Sequence, residues 1–181
     1  MRVIAGEFRS RVLKTLPGLD VRPTPDRMRE TLFNILAPRI EGAIFADIYA
    51  GSGSVGIEAL SRGASHAIFV EQNRAAANVI RENLRTLRID PRAELLQSRA
   101  SIALPNVRAD IVFLDPPYEA EQEYQKSLAT LGENPAALIP SLIIVQHFAK
   151  LALQDRYGAI HRTRVVKQGQ NQLTFYAESA G

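Results

Sequence analysis

Cysteine and tryptophan are both absent from the 181 residues. Without cysteine there is no thiol nucleophile, thiolate zinc site, iron–sulfur cluster or disulfide scaffold. That fits a reducing cytoplasm. Histidine is scarce: His66, His147 and His161 are the three in the chain. Their spacing offers no metal site, so each reads as a structural or surface residue. Long apolar runs are missing, and none approaches the roughly 20 residues that span a bilayer. The start lacks the apolar core of a signal peptide, because Glu7 and Arg9 follow Met1-Arg2-Val3-Ile4-Ala5-Gly6 at once. Repeats, low-complexity tracts and linkers are absent too. These absences predict a cytoplasmic protein without a membrane partner, folded as a single domain over residues 1–181.

What is present is ordinary in bulk: 46% apolar and 23% charged residues, the composition of a folded globular domain. The formal charge of +3 is unevenly placed. Residues 1–30 hold seven basic side chains (Arg2, Arg9, Arg11, Lys14, Arg22, Arg27, Arg29) against four acidic ones, and the rest of the chain is balanced, 15 against 15. A basic arm over residues 1–22 on a neutral body points to contact with a polyanion. A solvated hairpin that only aids solubility is an equal alternative, since an excess of three is small beside the contacts of a strong nucleic-acid binder.

Residues 2–14 read as a short hairpin or extended arm around Gly6, and Pro17-Gly18 as a turn. Thr24-Pro25 predicts a helix start, with Thr as N-cap and Pro at the first helical position. Met28, Leu32, Ile35 and Leu36 would share its buried face, and Pro38 and Gly42 would close it. Strands and helices then alternate. Residues 44–46, 67–70, 93–96, 111–114 and 142–145 predict five strands. Helices are expected to carry Val55 to Leu60 before a terminating Gly63, to follow an Asn73 cap, and to cover residues 121–131. Segments near 160–166 and 172–177, flanking Gly169, predict a closing hairpin. Continuous apolar runs separated by helices mean a parallel sheet buried on both faces. The fold class is therefore α/β, with the last hairpin adding antiparallel strands at the edge.

Three strands end in an acid: Asp47, Glu71 and Asp115. Ligands of open α/β sheets bind beyond the carboxyl ends of strands, though each acid taken alone is more simply a cap for the next helix or turn. The run Asp47-Ile48-Tyr49-Ala50-Gly51-Ser52-Gly53-Ser54-Val55-Gly56 shifts that balance. Its glycines allow a tight turn and a close ligand. Gly51-x-Gly53-x-x-Gly56, with Glu71 20 positions after Gly51, matches a dinucleotide fingerprint in which the acid takes ribose hydroxyls. Asp47 opposes a dinucleotide, because a pyrophosphate wants a neutral loop and a free helix N-terminus. A carboxylate there suits a ligand with positive charge, such as S-adenosylmethionine with its sulfonium and ammonium groups.

Asp115-Pro116-Pro117-Tyr118, directly after an apolar strand, is the most specific signal. Two prolines fix the backbone and remove two donors. The Asp115 carboxylate and the Pro116 carbonyl can then each accept a hydrogen bond from an exocyclic amine, while Tyr118 offers a face for stacking a base. An aryl amine is a poor nucleophile until two acceptors favour its pyramidal form and aim its lone pair at a methyl donor. A rigid polar turn with no catalytic task is the lesser alternative for these four residues.

Together, Asp47, Gly51-x-Gly53, Glu71 and Asp115-Pro116-Pro117-Tyr118 resemble class I S-adenosylmethionine-dependent methyltransferases acting on exocyclic amines. Arg2-Val3-Ile4-Ala5-Gly6, Arg9-Ser10-Arg11, the run from Arg22 to Asn34 and the late Gly169 to Tyr176 segment are similar to the RsmD family. These are bacterial enzymes that make N2-methylguanine in small-subunit ribosomal RNA. The resemblance covers essentially the whole chain. It implies a Rossmann-like class I methyltransferase fold with an N-terminal β-hairpin arm, and S-adenosylmethionine as cofactor. It also implies a monomer acting on guanine 966 of 16S ribosomal RNA in an assembling 30S subunit. Carried over by residue, Asp47, Ala50, Gly51, Ser52 and Gly53 would line the methionine side of the cofactor and Glu71, with Gln72, the ribose. Thr24, Arg27 and Asn34 would lean over the cofactor from the first helix. Asp115, Pro116, Pro117 and Tyr118 would hold a flipped base. Arg9, Arg11, Lys14 and Arg22 would meet RNA phosphates. Two positions depart from the pattern: Arg99 stands where relatives carry Asp or Asn near the adenine amine, and Ala5 and Ser10 replace arm glycines.

Rival readings remain at this level. A DNA adenine-N6 or cytosine-N4 methyltransferase shares the Asp-Pro-Pro-Tyr chemistry, although a chain this short leaves little room for a target-recognition domain. An NAD-dependent oxidoreductase and a non-catalytic RNA-binding module are alternatives of another class. Arg162, Arg164 and Lys167, in a segment without acids, read as a charge-guarded edge strand more than as a second RNA patch.

Overall fold

The computed structural model describes residues 1–17, 25–135 and 139–179. Thr24 and Arg22 lie outside them. Helix α1 (Asp26–Ile40) leads into β1 (Ile44–Ile48), α2 (Ser54–Ser61), β2 (His66–Val70), α3 (Arg74–Leu87) and β3 (Ala93–Leu96). A short α4 (Ala100–Ala103), β4 (Ile111–Leu114), α5 (Glu121–Glu133) and β5 (Leu142–Phe148) follow. The chain closes with β6 (Arg156–Tyr157), β7 (Ile160–Gln168) and β8 (Asn171–Glu178). The sheet order is β3-β2-β1-β4-β5-β8-β7-β6. β1 to β5 pair in parallel, and β8 returns antiparallel between β5 and β7. The expected α/β class with a closing hairpin is what the chain forms.

Strand alternation sends side chains to two cores. Phe45, Phe69, Phe113 and Ile144 pack under α1, α2 and α3. Ile48, Leu114, Ile143 and Val145 pack under α4 and α5 with Tyr124. The order turns at β1, with β2 on one side and β4 on the other. Ligands of open α/β sheets bind at such a switch point, beyond the carboxyl ends of the strands.

Several expectations shift. Pro25 is the N-cap of α1 rather than its first helical residue, its carbonyl taking the amides of Met28 and Arg29 at 2.7 and 3.0 Å. The helix runs through Pro38 to Ile40. In the last turn a proline forfeits a single backbone bond, and Leu36 and Ile40 are both buried. Ile35 is only half-buried, whereas Arg29 is fully buried on the same helix. α4 and β6 were unexpected, being four and two residues long, too short to show a period. Asn73 caps α3 as expected, accepting from the Ala76 amide at 3.0 Å.

The N-terminal arm is a docked hairpin. Arg2 bridges Val12, and Val3 and Leu13 enter the core. Glu58, buried on α2, accepts from the Ile4 and Ala5 amides at 2.9 and 3.0 Å. Gly6, at φ +85°, approaches so closely that a Cβ would lie 1.9 Å from the Ser61 carbonyl oxygen. At the far side of the sheet, β6 covers only Ile160 and His161 of β7. The rest is an edge. There Arg162 pairs with Asp155, and Arg164 lies over the Phe175 ring at 5.9 Å. Among the described residues no helix is long and apolar enough to cross a membrane.

Candidate active site

Pairing register brings the three acids together. Asp47 stands opposite both Phe69 and Phe113. Side chains two apart share a face, so Glu71 and Asp115 lie one step beyond Asp47, on its two flanks and on the α2 face. Asp47 is buried, and its Oδ2 accepts from the Gly56 amide in the first turn of α2 at 2.9 Å. Burial raises its pKa well above the usual carboxylate value; the Gly56 bond opposes this, and the charges of Asp115 and Glu71 add to it. Glu71 is half-buried; its two oxygens accept from the amides of Gly51 at 2.8 Å and Asn73 at 2.7 Å.

The loop between β1 and α2 is tight but open outward. Gly53 caps α2 at φ +81°. Gly51, at φ +57°, has nothing within 4 Å of where a Cβ would stand. Gly56 cannot carry a Cβ, because one would lie 2.3 Å from the Phe69 ring. Ala50 is buried, its amide on the Val70 carbonyl at 2.9 Å, and Gln72 is exposed. Asn83, buried on α3, ties this loop to the arm. It holds the Lys14 backbone by its amide at 2.8 Å and its carbonyl at 3.0 Å, and reaches the Ser52 carbonyl at 3.2 Å.

After β4 the chain offers acceptors. Asp115 is half-buried, with Gln146 Nε2 at 3.5 Å from its Oδ2. Pro116 is buried, and its carbonyl accepts from the Tyr124 hydroxyl at 3.0 Å. Pro117 is exposed, its carbonyl taking the Ala120 amide at 2.9 Å. Tyr118 stacks on Phe148 with ring centroids 4.0 Å apart, and its hydroxyl reaches Asn171 at 3.3 Å. These two rings and Tyr124 line a pocket of about 110 Å³ with Glu121, Lys150 and Leu151. Below them His147 is buried; its Nδ1 lies 2.8 Å from the Phe148 carbonyl and its Nε2 2.7 Å from the Thr174 hydroxyl. Desolvation lowers its pKa.

The remaining expected residues stand apart. Arg27 and Asn34 are exposed on α1 and flank the half-buried Thr31, which Gln168 at the end of β7 reaches at 3.3 Å. Arg99 is exposed at the start of α4. Arg9 and Arg11 are exposed and make no ion pair among the described residues. Lys14 is also exposed, but its ammonium pairs with Glu82. Sequence reasoning missed Gln146, Phe148, Asn171, Asn83 and Tyr124. No spacing rule marks them: Gln146, Phe148, Asn171 and Asn83 act on partners distant in the chain, and Tyr124 on a carbonyl eight residues back across a turn.

A family model described as Conserved hypothetical protein 95 matches residues 1–177. The Escherichia coli protein named Ribosomal RNA small subunit methyltransferase D is 43% identical, over 93% of this chain and 86% of its own. Bacillus subtilis YlbH, provisionally described as an rRNA methyltransferase, is 34% identical over 97% and 98%. The solved structure of Escherichia coli yhhF, provisionally described as a methyltransferase, superposes with a TM-score of 0.87 at 34% identity, over 100% of this chain and 99% of that one.

Proposed function

The chain belongs to the family described as Conserved hypothetical protein 95, that of the RsmD-type methyltransferases, and on that premise we propose that it methylates the exocyclic N2 of a guanine in small-subunit ribosomal RNA with S-adenosylmethionine. The observation that carries this is the filling of the α2 N-terminus by Asp47. The amide that would greet a pyrophosphate already donates to a carboxylate, and the Gly51 amide does the same to Glu71. Two acids around an open glycine loop repel a dinucleotide phosphate and fit a neutral adenosine carrying a sulfonium and an ammonium.

In this reading Glu71 takes ribose hydroxyls, with Gln72 beside it. Asp47, Ala50, Gly51, Ser52 and Gly53 line the methionine side. Arg27 and Asn34 of α1 face the cofactor from above. S-adenosylmethionine supplies an electrophilic methyl group when bound. Asp115 accepts one hydrogen of the target amine, and the Pro116 carbonyl accepts the other through the lone pair Tyr124 leaves free. Both aim the nitrogen's lone pair at the methyl group. The nitrogen then gives up a proton, for which the Asp115 carboxylate is the acceptor at hand. Tyr118, braced by Phe148 and preceded by the Pro117-fixed backbone, receives the flipped base. Arg9 and Arg11 contact phosphates near it, with Lys14 exchanging its surface partner for RNA at little cost.

The finer reading is a monomer acting on guanine 966 of 16S RNA in an assembling 30S subunit. Mass spectrometry of ribosomal RNA from a strain lacking the gene tests it. One N2-methylguanine is expected to vanish and to return when purified protein and cofactor are added to 30S particles. Persistence of every methylguanine rejects the reading.

A further inference from the structure

Both ligand loops are tied to one stretch of α5 by side chains that no motif announces. Tyr49, the first residue after β1, holds φ at +65°, a strained setting for a bulky residue that needs an outside hold. Its hydroxyl has one: it donates to Glu123 Oε2 at 3.0 Å and lies 2.9 Å from Ser127 Oγ. Positions four apart share a helix face, so Glu123 and Ser127 grip the same hydroxyl. Tyr124, fully buried between them, donates to the Pro116 carbonyl. Burial and the Asp115 charge raise the Tyr124 pKa, so the hydroxyl keeps its proton. The peptide joining Pro116 to Pro117 has no N–H, so hydrogen bonding can anchor it only through that oxygen.

We propose that Tyr124 is a positioning residue for methyl transfer: α5 sets the register between the cofactor loop, through Tyr49, and the base loop, through the Pro116 carbonyl. This rests on the reading in which that carbonyl receives the target amine. A carbonyl oxygen has two lone pairs. Tyr124 occupies one, which orients the peptide plane and leaves the other directed at the amine. Tyr49 anchors the start of the Ala50–Gly53 loop on the same helix, so donor and acceptor loops keep a common reference.

Tyr124→Phe removes the hydroxyl and keeps the ring. Single-turnover methyl transfer to saturating ribosomal RNA is expected to fall about tenfold or more, the scale on which misplaced reactants lose rate. Dissociation constants for S-adenosylmethionine and RNA should stay within about twofold, and melting temperature should show the fold intact. Tyr49→Phe, at a half-buried position, is the second variant. It should weaken S-adenosylmethionine binding several-fold while transfer at saturating cofactor recovers toward wild type. Wild-type transfer in Tyr124→Phe, or equal losses of rate and cofactor affinity in both variants, overturns the proposal. Asp115→Ala separates the two readings. If it stays active the amine assignment fails; if it is dead while Tyr124→Phe is fully active, only the positioning role fails.

Discussion

The loop after β1 and the loop after β4 stand side by side at the carboxyl end of the sheet and are held in opposite ways. In the first, backbone donors are already met by the protein's own carboxylates, Gly51 by Glu71 and Gly56 by Asp47. In the second, two successive prolines have removed two donors, and what remains there is acceptor chemistry: the half-buried Asp115 carboxylate and the Pro116 carbonyl. The difference teaches what each can hold. A donor loop saturated with negative charge suits a ligand with cationic groups. An acceptor turn whose two prolines carry no N–H suits a ligand that brings N–H groups. A methyl-sulfonium donor and an amine acceptor fit that pairing.

The largest effect should come from the acceptor loop. Asp115→Ala is expected to lower methyl transfer by about 10²–10³-fold, the scale of a lost transition-state hydrogen bond, with cofactor affinity within about threefold by calorimetry. Similar losses in both would break the division between the loops.

Asp47→Asn addresses the other loop. Because burial raises the folded pKa of Asp47, its stabilising contribution is full below the unfolded value near 4 and is lost as pH rises through the folded value. Asparagine keeps an acceptor for the Gly56 amide and has no proton to lose. The variant is therefore expected to melt above wild type at pH 7 and no higher near pH 3.5. Its affinity for S-adenosylmethionine should weaken about tenfold, as for a lost charge-assisted hydrogen bond. A lower melting temperature at pH 7 would show that the carboxylate stabilises the fold and is not held there for a ligand.

The smallest effect belongs to the arm, which touches neither set of reacting groups. Arg9→Gln with Arg11→Gln should reduce RNA affinity a few-fold at low salt and cut the slope of log affinity against log salt by about two. Single-turnover rate at saturating RNA and cofactor affinity should be unchanged. A change in either would mean that the arm reaches the loops, for which Asn83 supplies the contact, bonded to both Lys14 and Ser52.

Much of this site was legible in the chain. β4 occurs where its apolar run stands, because a strand buried on both faces must be apolar throughout; β3 also occurs where expected, but at the sheet edge, with Glu94 exposed and its other residues only half-buried. The acids at strand ends, the glycine loop and the Asp-Pro-Pro-Tyr turn are local patterns with local causes. Arg29, Glu58, Asn83 and Gln146 were not legible. Each is a polar residue that sequence reasoning leaves at the surface, yet each is buried. Their hydrogen-bond partners lie elsewhere: Glu58 and Asn83 bond the arm's backbone, and Arg29 the Arg2 carbonyl at 2.6 Å. The continuation of α1 through Pro38 was hidden for a related reason, since burial of Ile40 one turn on outweighs a local break.

By itself the amino-acid sequence determined the alternation of strands and helices, the place of the acids and glycines at their junctions, and the two-acceptor turn at Asp115-Pro116. Those features depend on periodicity and backbone chemistry within a few residues. Only the tertiary structure decided that Asp47, Glu71 and Asp115 share one face, that the first two already hold amides, and that one helix grips both loops. Register between strands and the grip of α5 on Tyr49 join segments far apart in the chain. Packing and hydrogen-bond satisfaction settle them together, and no local pattern carries them.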